Sequence, residues 1–121
     1  MHGGVTMLKL ILSEFLNHAG VTTAALVGRD GFVIDVATNA TLDSDALGAI
    51  GSSYINFFEK GLTMLEKTGV RQMTLEHLNG AIILTPITRE EFLMVLTDTT
   101  VGLGSLANRI MTSSPRLAMV M

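Results

Sequence analysis

The stretch DSDALGAIGSSYINFFEKGLTMLEKTG, Asp43–Gly69, decides the fold. Within it Leu47, Ile50, Tyr54, Phe57, Phe58, Gly61 and Leu65 recur at steps of three and four, the spacing that aligns one face of an α-helix. Asp43 or Ser44 supplies a cap, Asp43 and Asp45 suit the positive N-terminal end, and Gly69 is expected to stop the helix. At about 1.5 Å per residue this helix is about 39 Å long, comparable to the diameter of a domain of this size. Its apolar stripe is wider than a small monomer needs. Gly48, Gly51, Ser52 and Ser53 are small enough to let another element approach closely. The stretch therefore predicts a helix that packs on its own sheet with one side and on a partner with the other.

Outward from the helix, both flanks read as strands. Upstream, Val21–Gly28 is rich in β-branched and small apolar residues, Arg29-Asp30-Gly31 makes a turn, and Phe32–Thr38 returns as a second strand. Downstream, Arg71–Leu78 alternates, with Met73 and Leu75 on one face and Gln72, Thr74 and Glu76 on the other. Such alternation suits an edge strand. The nearly continuous apolar runs Ala81–Ile87 and Phe92–Thr97 suit strands covered on both faces. Asn79-Gly80 is the strongest hairpin signal in the chain.

A first helix carries Leu8, Ile11, Leu12, Phe15, Leu16 and Ala19 on one stripe, with Gly20 at its C-cap. A last helix is expected over Val101–Thr112, with Pro115 just past its end and an apolar tail over 113–121. Met1–Gly4 reads as a flexible leader, and the whole chain as a single domain. The order is helix, two strands, long helix, three strands, helix. All strand links but the one through the long helix are short hairpins. This specifies an α/β (α+β) sandwich with a five-stranded antiparallel sheet, the long helix on one face and the terminal helices on the other.

Composition narrows the function. Apolar residues make up 48% of the 121 and charged residues 16%, against about 25% charged in an average soluble domain, so polar surface is scarce and an oligomer is expected. A net charge of −3 without a Lys/Arg cluster argues against nucleic-acid binding. The absence of Cys excludes disulfides and thiolate sites. The run Val5–His18 is interrupted by Lys9, Ser13 and Glu14, which makes it an amphipathic helix rather than a signal peptide. No run is long enough to insert in a membrane, and cytoplasm is the simplest compartment.

Candidate chemistry is thin. Gly102-Leu103-Gly104-Ser105-Leu106-Ala107 matches G-x-G-x-x-A, but no Asp or Glu follows it and no chain remains for a parallel strand. A dinucleotide cofactor is therefore not expected, and close packing of the helix start on the sheet is the better role for those glycines. His2, His18 and His77 lack metal-ligand spacing, so no metal site is expected. Asp98 ends an apolar strand before a helix and is the best lone catalytic candidate, although turn formation with Thr99 and Thr100 explains it better. Ser105 has no base nearby. No catalytic, cofactor-binding or metal residue is assigned. Met64, Met73 and Met94 are expected to fill the core.

Three segments in this order resemble the Roadblock/LC7 family, in particular its stand-alone prokaryotic members. The segment Ala24-Ala25-Leu26-Val27-Gly28-Arg29-Asp30-Gly31-Phe32-Val33-Ile34 is similar to the family's first hairpin. Leu75-Glu76-His77-Leu78-Asn79-Gly80-Ala81-Ile82-Ile83-Leu84 is similar to its second. Phe92–Asp98 followed by Val101–Leu106 resembles its closing strand and helix start, with Arg109 standing further from the glycine than the basic residue of many relatives.

The resemblance spans about Leu8 to Met111. It implies homodimers, or heterodimers with a paralogue, built by pairing long helices and the edge strand, here Arg71–Leu78. The seam is accordingly expected at Ile50, Tyr54, Phe57, Phe58, Gly61, Leu65, Met73 and Leu75. It further implies a non-enzymatic adaptor that binds a Ras-like small GTPase, some relatives stimulating GTP hydrolysis and others serving dynein motors or nutrient-signalling scaffolds. A small-molecule sensor on a profilin-like or PAS-like sandwich is the alternative. A sensor needs polar groups converging on a cavity, and the two apolar strands offer almost none.

Overall fold

A computed structural model describes residues 6–121. The leader Met1–Gly4 lies outside the described residues. The elements are α1 (Met7–Phe15), β1 (Val21–Gly28), β2 (Val33–Thr38), α2 (Ser44–Met64), β3 (Met73–His77), β4 (Gly80–Pro86), β5 (Glu91–Thr97) and α3 (Leu103–Met119). The strands form one five-stranded sheet in the order β2-β1-β5-β4-β3, antiparallel throughout. This is the expected architecture, with β3 at an edge.

Alternation along the central strands sends side chains to two layers. Ala24 and Leu26 of β1, Ile83 of β4, and Leu93 and Val95 of β5 join Ile11, Leu12 and Phe15 of α1 and Leu106, Ile110 and Leu117 of α3. Ala25, Val27, Leu84, Phe92 and Met94 point the other way and meet Leu47 and Ile55 of α2. The helix approaches closely because its inner face is small. A Cβ at Gly48 would sit 2.0 Å from the Gly31 carbonyl oxygen, and one at Gly51 would meet Met94 Sδ at 2.8 Å.

Several boundaries differ from the sequence reading, each for a local reason. Helix α2 stops at Met64 rather than Gly69, which makes it about 31 Å long at about 1.5 Å per residue. Glu66 takes a left-handed conformation (φ 60°), Lys67 N–H reaches the Leu62 carbonyl at 2.8 Å, and Glu66 N–H reaches Thr63 at 3.0 Å. That is a Schellman cap with Glu where glycine is usual, so the customary signal was missing. The β3–β4 turn is Leu78-Asn79, one residue earlier than expected, with Gly80 paired to His77 as the first residue of β4. A side chain at Gly80 (φ 149°) would collide with the Thr97 carbonyl.

Helix α1 ends at Phe15, so His18 lies in the following turn rather than in the helix. Helix α3 runs through Pro115 to Met119 instead of ending near Thr112. Leu106, Ile110 and Leu117 share one helix face, and the complete burial of Leu117 against α1 holds the last turns in place. Arg116 pairs with Glu14 of α1 at 3.1 Å. Met94 is buried as expected, but Met64 is exposed and Met73 only half-buried.

Three outcomes follow. Gly48→Ala is expected to cost about 2 kcal/mol or more, because the obstructing atom is backbone and cannot yield, while Glu66→Gly is expected to add about 1 kcal/mol by relieving a left-handed residue; urea unfolding measures both. The Arg116 hydrogen bond holds the Glu14 carboxyl below its ordinary range, so its contribution is present above that range and lost as pH falls through it. Amide protection at residues 116–119, taken relative to the intrinsic exchange rate at each pH, is therefore expected to fall on acidification in the wild type and to lose that dependence in Glu14→Gln.

Candidate functional site

Helix α2 is covered for half its length. Its buried residues Leu47, Gly48, Gly51, Ser52 and Ile55 all precede Asn56, and the helix packs over β1 and β2. Beyond that point the apolar side chains face outward: Phe57 is 69% exposed, Phe58 49% and Leu65 69%, with Tyr54 at 40% beside them. All three aromatic residues thus lie on the outer side, and Gly48, Gly51 and Ser52, with Leu47 and Ile55, form the inner one. Phe57 and Phe58 meet edge to face at 5.2 Å and together form an aromatic ridge.

The chain leaving α2 turns back at Glu66 and runs into β3, and the space between helix and edge strand stays open. On the α2 side of the sheet, Met73 pairs with Leu84 and Leu75 with Ile82. A groove of 730 Å³ is lined by Phe57, Phe58, Gly61, Leu62 and Leu65 of the helix end, by Val70 of the connection, and by Met73 and Leu75 of β3. A second depression of 500 Å³, lined by Ser53, Tyr54, Phe57, Phe58, Met73 and Leu75, extends it along the helix. The structure therefore brings together every expected seam residue except Ile50, which is exposed one to two turns earlier and lines neither depression. Leu62 and Val70 were not anticipated, although Leu62 stands four residues after Phe58, a spacing that places both on one side.

A polar clamp sets the tilt of the exposed half. Arg29, at the β1–β2 turn, forms a two-pronged ion pair with Glu59, and Asn56 Nδ2 donates to the Arg29 carbonyl at 3.0 Å. Both charged side chains are about three-quarters buried, at 23% and 25% exposure. Nothing in the sequence paired these residues, because their separation is set by the hairpin and not by helical spacing.

The remaining candidates resolve into structural roles. Asp98 Oδ1 accepts from the Thr100 N–H at 2.8 Å and from its hydroxyl at 2.6 Å, and these bonds hold its carboxyl below the ordinary range. That is a turn. Gly102 caps α3, but a Cβ at Gly102 or Gly104 would meet nothing within 4 Å, so close packing is not their role. His77 Nδ1 accepts from the Asn79 N–H at 3.2 Å. Among the described residues no group of three His, Cys, Asp or Glu side chains could hold a metal ion, and no helix is long and apolar enough to cross a membrane.

This geometry defines a small α+β domain: a five-stranded antiparallel sheet, a long helix on one face, and an apolar groove between that helix and an edge strand. A family model described as the Roadblock/LC7 domain matches residues 7–97, and the chain belongs to that family. An uncharacterised protein of Methanocaldococcus jannaschii is 29% identical over 99 residues, which cover 82% of this chain and 83% of that protein. Among solved structures, Myxococcus xanthus MglB has the same fold with a TM-score of 0.88 at 17% identity, covering 98% of this chain and 97% of that one. A structure of MglB with a tetrameric arrangement gives 0.88 at 18% identity over 99% and 92% of the two chains.

Glu59→Ala leaves the Arg29 guanidinium without its partner in a mostly buried place, and is expected to cost about 2 kcal/mol. Replacing both with Met is expected to recover most of that loss, since neither charge is then stranded. Thermal unfolding of the two variants provides the comparison.

Proposed function

We propose that this chain is a non-catalytic adaptor that works as a dimer and docks a Ras-like small GTPase in the cytoplasm, stimulating GTP hydrolysis by ordering the GTPase's own residues. The observation that carries the dimer is the uncovered half of α2 facing an uncovered edge strand. Phe57, Phe58 and Leu65 present apolar surface whose full burial stabilises by about 1.5–3 kcal/mol per side chain. A second copy is a fitting occupant, because a two-fold axis beside β3 sets the same ridge and groove against each other in both directions. The tetrameric arrangement named for MglB supports association of such domains through their own surfaces. Membership of the Roadblock/LC7 family supports the GTPase as partner, and the bonding of Asp98 and His77 into turns supports an adaptor without a catalytic group of its own.

Light scattering at micromolar concentration is expected to give twice the 12.9 kDa chain mass, and Phe58→Asp, which buries a charge in the seam, to halve it without loss of helical signal. A wild-type monomer would overturn the dimer. For the partner, GTP-loaded small GTPases of the same genome are titrated with the protein under single-turnover conditions. At least one is expected to bind saturably and hydrolyse faster. Failure of every one to bind would refute the adaptor reading, and binding without acceleration would reduce it to tethering.

A further inference from the structure

The sheet ends in two edge strands, β2 and β3, and an edge presents backbone groups with which a further strand can pair. The two edges are built differently. The bond from Asn39 N–H to the Thr22 carbonyl, at 3.1 Å, makes Thr23↔Thr38 a pair that exchanges no hydrogen bonds of its own. Alternation makes Ala25↔Val36 the same kind, so the N–H and C=O of Val36 point away from β1 and out of the sheet. Both groups of Val36, at mid-strand, are already occupied, whereas those of Thr38, turned outward in the same way at the last residue of β2, are not. Asp35 Oδ1 accepts from the Val36 N–H at 2.8 Å. Lys9 Nζ, reaching across from α1, donates to the Val36 carbonyl and lies 2.8 Å from the same Asp35 oxygen. Next to this site the register slips, since Leu26 faces Asp35 while Val27 faces Val33, and the extra residue Ile34 bends the strand.

Strand β3 has no such plug. His77↔Gly80 closes the Leu78-Asn79 turn as a hydrogen-bonded pair, so the backbone groups of Thr74 and Glu76 face outward. The side-chain bonds around β3, from Gln72 to Thr85 and Ala107 and from Asn79 N–H to the His77 ring, leave those groups untouched.

We propose that Lys9 and Asp35 form an edge lock on β2, which keeps that edge from accepting another strand and confines the joining of copies to β3. Contact through one edge about a two-fold axis closes after two copies, whereas two open edges let copies add without limit. The lock therefore sets assembly size. It rests on the dimer reading above for the size of the closed assembly, and on the β2 geometry alone for the blocked edge.

The test uses the full chain carrying Lys9→Met, which keeps the apolar stem and removes the donor, and separately Asp35→Ala. Light scattering from micromolar to millimolar concentration is expected to show a constant wild-type mass and a mass that climbs with concentration in both variants. Amide exchange at Val36 is expected to quicken about tenfold in both, with Ala37, bonded to β1, unchanged. Asp35→Asn keeps an acceptor and the side-chain size, so it is expected to keep Val36 protected; this separates locking from folding should Asp35→Ala prove unstable. Folded Lys9→Met or Asp35→Ala protein that holds the wild-type mass at every concentration, or that protects Val36 as the wild type does, would overturn the lock. In a Phe58→Asp background, Lys9→Met is expected to carry the monomer into larger species. Growth there with a monomeric wild type would sink the dimer and leave the lock standing.

Discussion

The contact on which the rest of the molecule depends is backbone against backbone: the start of α2 lies so close to the β1–β2 turn that no side chain fits between Gly48 and the Gly31 carbonyl. Gly51 continues that close approach over Phe92 and Met94, and Ser52 lies beside Gly31, both somewhat more than two turns past the helix N-cap Asp43. A helix seated so deeply over β1 and β2 has no means of also covering β3, three strands further across the sheet. The Arg29–Glu59 pair then holds the second half of the helix on the same side. The open groove is thus a geometric consequence of where the small residues lie, not a defect in packing.

That arrangement divides one amphipathic helix into two jobs. The first half contributes Leu47 and Ile55 to the core, and the second half displays Phe57, Phe58 and Leu65 to the outside. Residues of one type are therefore core in one place and exposed in another, and the difference is decided by the elements behind them. Close packing of protein interiors makes the first group intolerant of added volume, while the second group is constrained by whatever surface covers it.

Much of this was legible in the sequence. Strand order within each hairpin, the antiparallel sheet, the edge position of β3 and most residues that line the groove follow from periods of two and of three to four, which read side-chain direction directly. What escaped was information carried by tertiary contact. Glu66 closes α2 in a conformation for which glycine is the usual sign, and Pro115 is passed over by a helix whose end is held by the burial of Leu117. The aromatic stripe grouped Tyr54, Phe57 and Phe58, but which way it faces required knowing that Gly48, Gly51 and Ser52, with Leu47 and Ile55, face the sheet. The Arg29–Glu59 and Lys9–Asp35 pairs join residues from different elements, beyond the reach of any local period.

The position of β5 has a consequence for how the chain comes to fold. β5 is the penultimate element in sequence yet lies at the centre of the sheet, bonded to β1 on one side and β4 on the other. Thr22 meets Leu96 across 74 positions of chain. During synthesis, then, the first hairpin and its helices must wait with an unpaired inner edge until nearly the whole domain has emerged, and closing so long a loop is slow compared with forming either hairpin. The unprotected edge in that interval is that of β1, a strand with no charged residue along its length. Its nascent form is the stage at which this protein is most exposed to mispairing, and most in need of shelter.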